Sequence, residues 1–387
     1  MNTPDRITVI FVLHALAGGG AERVAVQLLK HLDRRRFRPV LALFRVEGPY
    51  LTHVPEDVPV VDLRKRSKMD WPFLVRRLAQ LIRREQAPVV FSFDWHANVA
   101  AILASKLTWV KTGVIAGVRS HESTYIPQLP RGVQPLRRLT IRKLYPRANV
   151  VLSNSEAVRN DLMEAFHLPR EQLSMLHNPV DVAAIETQVA LPLDDWKIGS
   201  GGPLVVAAGR LIPLKGFDVL INAIARVRRE LPCTLVILGE GPEEAALKAC
   251  AVAEGIGDNV VFAGFQANPF NIIRHAQVFV LSSITEGFPN VVLEAMASGT
   301  PVVATRCSSG LEEIITDGVD GLLVAPGDAA AMAEAIAGLL SSDERRHAIA
   351  TAGYARVQAF DLSRTIPAFE DLFARVAQST SARTPLR

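Results

Sequence analysis

The chain is predicted to be an α/β protein with two doubly wound parallel sheets, and three observations carry that expectation. Short apolar runs rich in Val, Ile and Leu alternate with helix-length segments along most of the sequence. That is the order of parallel strands covered on both faces. Several runs end in glycine-containing turns that open straight into a helix, as strand-to-helix junctions of such sheets do. The alternation breaks once, over 184–202, and then starts again, which in 387 residues points to two domains.

Bulk composition narrows the class. Apolar residues make up 49% and charged residues 21%, the balance of a globular chain with a sizeable core. The apolar runs are strand-length, so no membrane-spanning helix is expected. The first strand begins at Ile7, which leaves no place for a secretory leader. Cys233, Cys250 and Cys307 are far apart and lack metal-ligand spacing; this suits a reducing cytosol and argues against a zinc site. Charge is shared unevenly. Residues 1–190 carry 27 Lys and Arg against 17 Asp and Glu, whereas residues 191–387 carry 16 against 22. A basic first half fits an anionic partner surface such as phospholipid or a lipid phosphate, or only solvated helix faces. Nucleic acid is not expected, because the arginines near 74–84 sit beside a leucine stripe, as on a packed surface helix.

The first domain, 1–183, opens with an apolar strand over Ile7–Leu13, then Gly18-Gly19-Gly20, then a helix from Ala21. Glycines there let backbone approach a phosphate or a sugar closely. The third glycine of a dinucleotide fingerprint is missing, which disfavours a nicotinamide dehydrogenase. Strands over 40–44, 89–93 and 113–117 alternate with helices over 71–84 and 96–106. After the strand ending near Val118 come Arg119, Ser120, His121 and Glu122. A histidine leaving a strand at its C-terminal edge is well placed for a site, as donor, acceptor or cation. Residues 130–147 mix six basic and several apolar positions that do not separate cleanly on a helical wheel, so no membrane-inserting helix is expected there. Ser155 reads as the N-cap of a helix over 156–166. Residues 184–202, ending Gly-Ser-Gly-Gly, read as the connection.

The second domain, 203–360, repeats the pattern. A strand over Leu204–Ala208 leads into a loop from Gly209 to Gly216, where Arg210 and Lys215 form a pair able to neutralise a diphosphate. Further strands are expected over 235–238 and Val260–Phe262. The densest stretch follows the strand Val278–Leu281: Glu286 in a tight loop with Gly287, then a helix over 289–297 with Pro289 at its start and Gly299 after its end. First-turn amides at Phe288, Asn290 and Val291 would make an anion site at that helix start. A loop acid, a phosphate-grade helix start and a second acid, Glu294, suit a sugar nucleotide. The sugar would meet Glu286, the diphosphate the amides and the ribose Glu294.

The segment T-E-G-F-P-N-V-V-L-E-A-M-A-S-G-T-P-V-V, with seven residues between Glu286 and Glu294, resembles the signature of glycosyltransferase family 4, retaining enzymes of the GT-B fold. The resemblance spans nearly the whole chain and is most specific in residues 205–325. It implies two Rossmann-like domains facing across a cleft, the donor on the second and the acceptor on the first. A last helix in 361–387 would cross back to the first domain and end in a frayed tail. It places Gly19 and Gly20 near the donor and sets Arg210 and Lys215, in G-R-L-x-x-x-K-G, against the donor phosphates. Gly264-Phe265-Gln266 resembles the stretch that receives the base, and His121 matches a histidine that some members hold beside the donor sugar. Glu286, His121, Arg210 and Lys215 are the implied catalytic residues, without metal or cofactor. The implied co-substrate is a nucleotide diphosphate sugar, with a UDP-linked N-acetylhexosamine favoured. The acceptor would be a glycan or lipid-linked oligosaccharide of cell-surface polysaccharide assembly. Such an enzyme would sit in the cytoplasm or peripherally on the inner face of the membrane. Sugar-nucleotide 2-epimerases share the architecture, and a non-catalytic nucleotide-sugar-binding subunit is the other alternative.

Overall fold

The computed structural model describes residues 6–192, 202–307 and 309–382. Residues 193–201 of the expected connection and 383–387 of the expected tail lie outside them. The chain divides into two compact units. One comprises the residues up to Pro179 together with those from Leu362 onward, and the other is Val180–Asp361.

The first unit is built on seven parallel strands: β1 (Ile7–Leu13), β2 (Phe37–Leu43), β3 (Val60–Asp62), β4 (Val89–Ser92), β5 (Gly113–Val118), β6 (Val150–Ser153) and β7 (Leu173–Met175). Their order is β3-β2-β1-β4-β5-β6-β7, with Ile7 opposite Phe37 and Leu13 opposite Leu43 at the centre. Successive side chains of β1 enter opposite cores. Val9, Phe11 and Leu13 join one, and Ile10 and Val12 the other. Burial on both faces is why the run is apolar without alternation. The long helix Leu362–Ala382 closes one face. Its Phe373 ring stands 6.0 Å from Phe11, 6.2 Å from Phe37 and 5.7 Å from Phe91. Truncating such a buried ring to alanine costs about 3–5 kcal/mol.

The second unit has six parallel strands: β8 (Leu204–Ala208), β9 (Thr234–Leu238), β10 (Val260–Phe262), β11 (Val278–Leu281), β12 (Val302–Thr305) and β13 (Leu322–Val324). Their order is β10-β9-β8-β11-β12-β13. Strand order reverses between β1 and β4 in one sheet and between β8 and β11 in the other. Loops leaving the C-terminal ends of those strands diverge there and open a crevice for a ligand.

The structure departs from expectation in its short pieces. β3, β7 and β13 have three residues each, too few to display a period. The described start of the expected connection is helical. Val182–Val189 forms a helix whose N-cap Asp181 accepts the Ala184 amide at 3.0 Å, and Val182 and Ile185 are buried in the second unit's core. One apolar stripe of two residues in eight leaves little periodic signal.

Candidate active site

The strongest constellation lies where β8 and β11 diverge. The loop after β8 must turn back against the exit of β11, and Gly216 permits it. Its φ is +58°, and a Cβ at that position would stand 2.3 Å from the Ser282 carbonyl oxygen, closer than real carbon–oxygen contacts come. Ser282 Oγ donates to the Lys215 carbonyl at 2.8 Å, and the Ile284 amide donates to the Leu214 carbonyl at 2.8 Å. So held, the Lys215 ammonium reaches the Glu286 carboxylate. Ser283 Oγ donates to the same oxygen at 2.7 Å, and Thr305 Oγ1 fixes the Ser283 carbonyl at 2.5 Å. A lysine and a glutamate 71 residues apart thus meet at the switch point, each positioned by a neighbouring serine.

Beside this pair the loop rises into the helix Asn290–Ala297, with Pro289 as its N-cap. The helix therefore begins one residue later than expected. Phe288 is buried, its ring 5.7 Å from Phe360, which anchors Gly287 to Val291 as a fixed helix entrance. Glu294 is buried within the helix. Arg210 is exposed at the other end of the β8 loop, outside the Lys215–Glu286 contact. Phe265 is 46% exposed, and its amide donates to Glu240 Oε1 at 3.4 Å. Gly239 bridges to Gly264, so the loops after β8, β9 and β10 share the edge that carries Lys215. Cys307 follows β12 there. Burial, and then the Glu286 charge, pushes its thiol up to about 12, so it stays protonated and supplies no nucleophile.

The remaining predicted residues fall in the first unit. Gly18 has φ +96°, and Gly19 is the N-cap of the helix Gly20–His31. Glu22 folds back over the loop, so a Cβ on Gly19 would lie 2.5 Å from its Oε2. Burial raises the Glu22 carboxyl above the usual range, with Asp94 adding to the rise and Arg119 opposing it. Arg119 leaves β5 with its guanidinium 4.8 Å from the Phe93 ring centroid and donating to Asn178 Oδ1 at 2.5 Å. Desolvation lowers it to about 10, and its Nε has no hydrogen-bond partner. His121 turns Nδ1 toward Asp161 Oδ1 at 3.7 Å, and its buried Nε2 is unpartnered.

The sequence alone assigned no role to Ser282, Ser283, Glu22, Asp94, Arg119 or Asp161. A pair of serines ending an apolar strand at the motif was a usable signal. Asp161 had none, because its partner arrives only through tertiary packing.

Two family profiles match the chain: "Glycosyltransferase Family 4" over residues 18–184 and "Glycosyl transferases group 1" over residues 202–342. A Campylobacter jejuni N-acetylgalactosamine-N,N'-diacetylbacillosaminyl-diphospho-undecaprenol 4-alpha-N-acetylgalactosaminyltransferase is 29% identical over 357 residues. That match covers 90% of this chain and 94% of the relative. The alpha-D-kanosaminyltransferase of Streptomyces kanamyceticus is 30% identical over 293 residues, 71% of this chain and 74% of that protein. Among solved structures, Anabaena HepE in complex with UDP and glucose superposes with a TM-score of 0.79 at 21% identity, covering 98% of this chain and all of that one. WaaG, a glycosyltransferase involved in lipopolysaccharide biosynthesis, gives 0.72 at 17% identity, covering 94% and 99%. These likenesses establish the GT-B fold, and the sequence matches establish the lineage. The chain belongs to glycosyltransferase family 4.

Proposed function

We propose that the protein is a retaining glycosyltransferase that moves a hexose or N-acetylhexosamine from a nucleotide diphosphate sugar, UDP-linked in preference, to a glycan or lipid-linked acceptor of cell-surface polysaccharide assembly. The observation that carries this reading is the Lys215–Glu286 pair at the β8/β11 switch point, seated beside the entrance of the helix Asn290–Ala297. In it the diphosphate lies at the helix entrance, where amides and the positive end of the helix dipole favour an anion. Lys215 and Arg210 add charge, Glu286 positions the sugar, Glu294 holds the ribose, and Phe265 lies beside the base.

The C1–oxygen bond to the diphosphate breaks as the bond from C1 to the acceptor oxygen forms on the same face. The acceptor proton passes to the departing phosphate. Charge growing on that phosphate is stabilised by Lys215, Arg210 and the amides, and each such donor contributes about 3 kcal/mol to the barrier reduction. Positive charge comes from the chain itself, so neither metal nor cofactor is assigned a role. Two kinds of finding support the substrate class. HepE was solved with UDP and glucose, and the Campylobacter relative is named for alpha transfer onto an undecaprenol-diphosphate-linked glycan. Retention of configuration is inferred from the family.

The test is calorimetric titration of the full-length protein with UDP-, GDP- and ADP-sugars, followed by transfer assays with the donor that binds. Binding by one nucleotide class that Lys215→Ala weakens roughly 100-fold is expected. Failure of all three classes to bind refutes the reading.

A further inference from the structure

The helix Glu156–Glu164 buries Ala157, Val158, Asp161 and Leu162 along one stripe, the spacing of a core-facing side. Val158 and Leu162 are fully buried in a core of the first unit. Asp161, 6% exposed, is an acid where the pattern calls for an apolar residue. A buried carboxylate persists only where donors answer its charge. Among the described residues no lysine or arginine pairs with it. Its Oδ2 accepts the Ser123 amide at 3.2 Å, and its Oδ1 faces His121 Nδ1 at 3.7 Å. Capping the Ser123 amide takes one oxygen, which a neutral asparagine supplies with less desolvation. The charge is explained by the second oxygen, the one turned to the ring.

The backbone under His121 is fixed from both sides. His121 is the N-cap of the short helix Glu122–Tyr125, and its carbonyl accepts the Tyr125 amide at 2.9 Å. The next residue, Glu122, is buried and accepts Ser120 Oγ at 3.0 Å. Arg137, from the helix Gln134–Leu144, grips the same carboxylate through two 2.7 Å hydrogen bonds. The His121 ring itself has unequal ends. Nδ1 meets a carboxylate, whereas Nε2 is buried without a hydrogen-bond partner. A carboxylate only accepts, and a neutral imidazole carries one N–H. The proton therefore belongs on Nδ1, which leaves Nε2 as an acceptor. At 3.7 Å the contact is electrostatic, and such contacts shorten into hydrogen bonds when a ligand fixes the ring.

We propose that Asp161 is a positioning residue, which holds the His121 proton on Nδ1 and so presents Nε2 to a hydroxyl of the sugar substrate at the C-terminal edge of β5. The substrate class rests on the transfer reading; the tautomer does not. A buried nitrogen lacking a partner is a cost that such a hydroxyl removes by donating to it. Asp161 itself lies behind the ring and acts only through it.

The experiment is long-range proton–nitrogen correlation NMR of the full-length protein with its histidine rings isotopically labelled, which reads each tautomer directly. His121 is assigned among the nine histidines by its absence in His121→Gln, and the neutral ring is read at the high-pH limit of a titration. The wild type should carry the proton on Nδ1. In Asp161→Asn the side-chain oxygen still accepts the Ser123 amide, so the NH₂ group faces the ring. His121 should then move its proton to Nε2 with the melting temperature unchanged. Transfer assayed alongside should lose roughly tenfold in kcat/KM, the worth of one hydrogen bond. The spectrum needs no substrate, so its failure and that of the transfer reading are told apart. A wild-type ring protonated on Nε2, the same tautomer in wild type and Asp161→Asn, or a switched tautomer with kcat/KM unchanged would overturn the proposal.

Discussion

Replacing Lys215 by alanine separates donor binding from folding. Its ammonium sits on the Glu286 carboxylate with the two side chains 22% and 16% exposed. For stability the pair is worth about 0–1 kcal/mol, as part-exposed ion pairs are, and Ser283 Oγ still holds the carboxylate afterwards. For an incoming diphosphate the loss is larger and has two sources. One charge-assisted hydrogen bond disappears, about 1.5–3 kcal/mol. The uncovered Glu286 carboxylate then repels the diphosphate, by about 3 kcal/mol at ~6 Å and an effective dielectric near 20, before water and salt screen most of it. With a third of that repulsion surviving, the sum is about 3 kcal/mol, a rise in Kd of roughly 100-fold or more. Calorimetry with UDP measures it on wild type, Lys215→Ala, Glu286→Gln and the double variant. The double variant should regain about fivefold over Lys215→Ala, because the repelling charge is gone. A Kd for Lys215→Ala within threefold of wild type, in a protein that melts normally, refutes the reasoning.

Four other outcomes are expected. Glu286→Ala should lose transfer by about 10²–10³-fold while binding UDP at least as tightly as wild type; turnover close to wild type would remove Glu286 from the site. Gly216→Ala, with φ +58° and the Ser282 carbonyl in the way, should cost about 1–3 kcal/mol in urea unfolding and weaken UDP binding with it. Burial lowers both His14 and His96, so the folded state binds fewer protons than the unfolded chain and stability rises with pH. Their contribution is complete above the ordinary value of 6.5 and fades as pH falls below it; His14→Gln/His96→Gln should flatten the melting-temperature profile over about pH 5–7. Transfer should survive EDTA, and a loss that Mn²⁺ restores would count against the charge assignment to Lys215 and Arg210.

Which parts of this protein could be read beforehand follows from how far apart the interacting residues lie. Strands such as Ile7–Leu13 and Val278–Leu281 are buried on both faces, so composition alone marks them. The glutamates of the T-E-G-F-P-N motif and the loop with Arg210 and Lys215 declared themselves because a turn, a helix start and charge coincide within a few residues. The Lys215–Glu286 contact itself spans three crossovers, and only the strand order β8–β11 brings it about. The contacts of Asp161 with His121 and of Arg119 with Phe93 were invisible for the same reason. The helix Gln134–Leu144 looks mixed on a wheel for a different reason. A wheel assumes that charged side chains face water, and Arg137 spends its charge on the buried Glu122.

One further consequence lies in how the polypeptide is threaded. Val180 pairs with Asp361, and its amide donates to the Phe360 carbonyl at 3.0 Å, so the second unit begins and ends at one doorway. The first sheet meanwhile waits for Phe369 and Phe373, which leave the ribosome only after the whole inserted unit. During synthesis the inserted unit can finish folding while the earlier-made sheet still exposes Phe11, Phe37 and Phe91. Nascent chains stalled before residue 362 should therefore need a chaperone. The excised 180–361 segment should fold alone, whereas a 1–179 fragment should aggregate until the helix is supplied as a separate peptide.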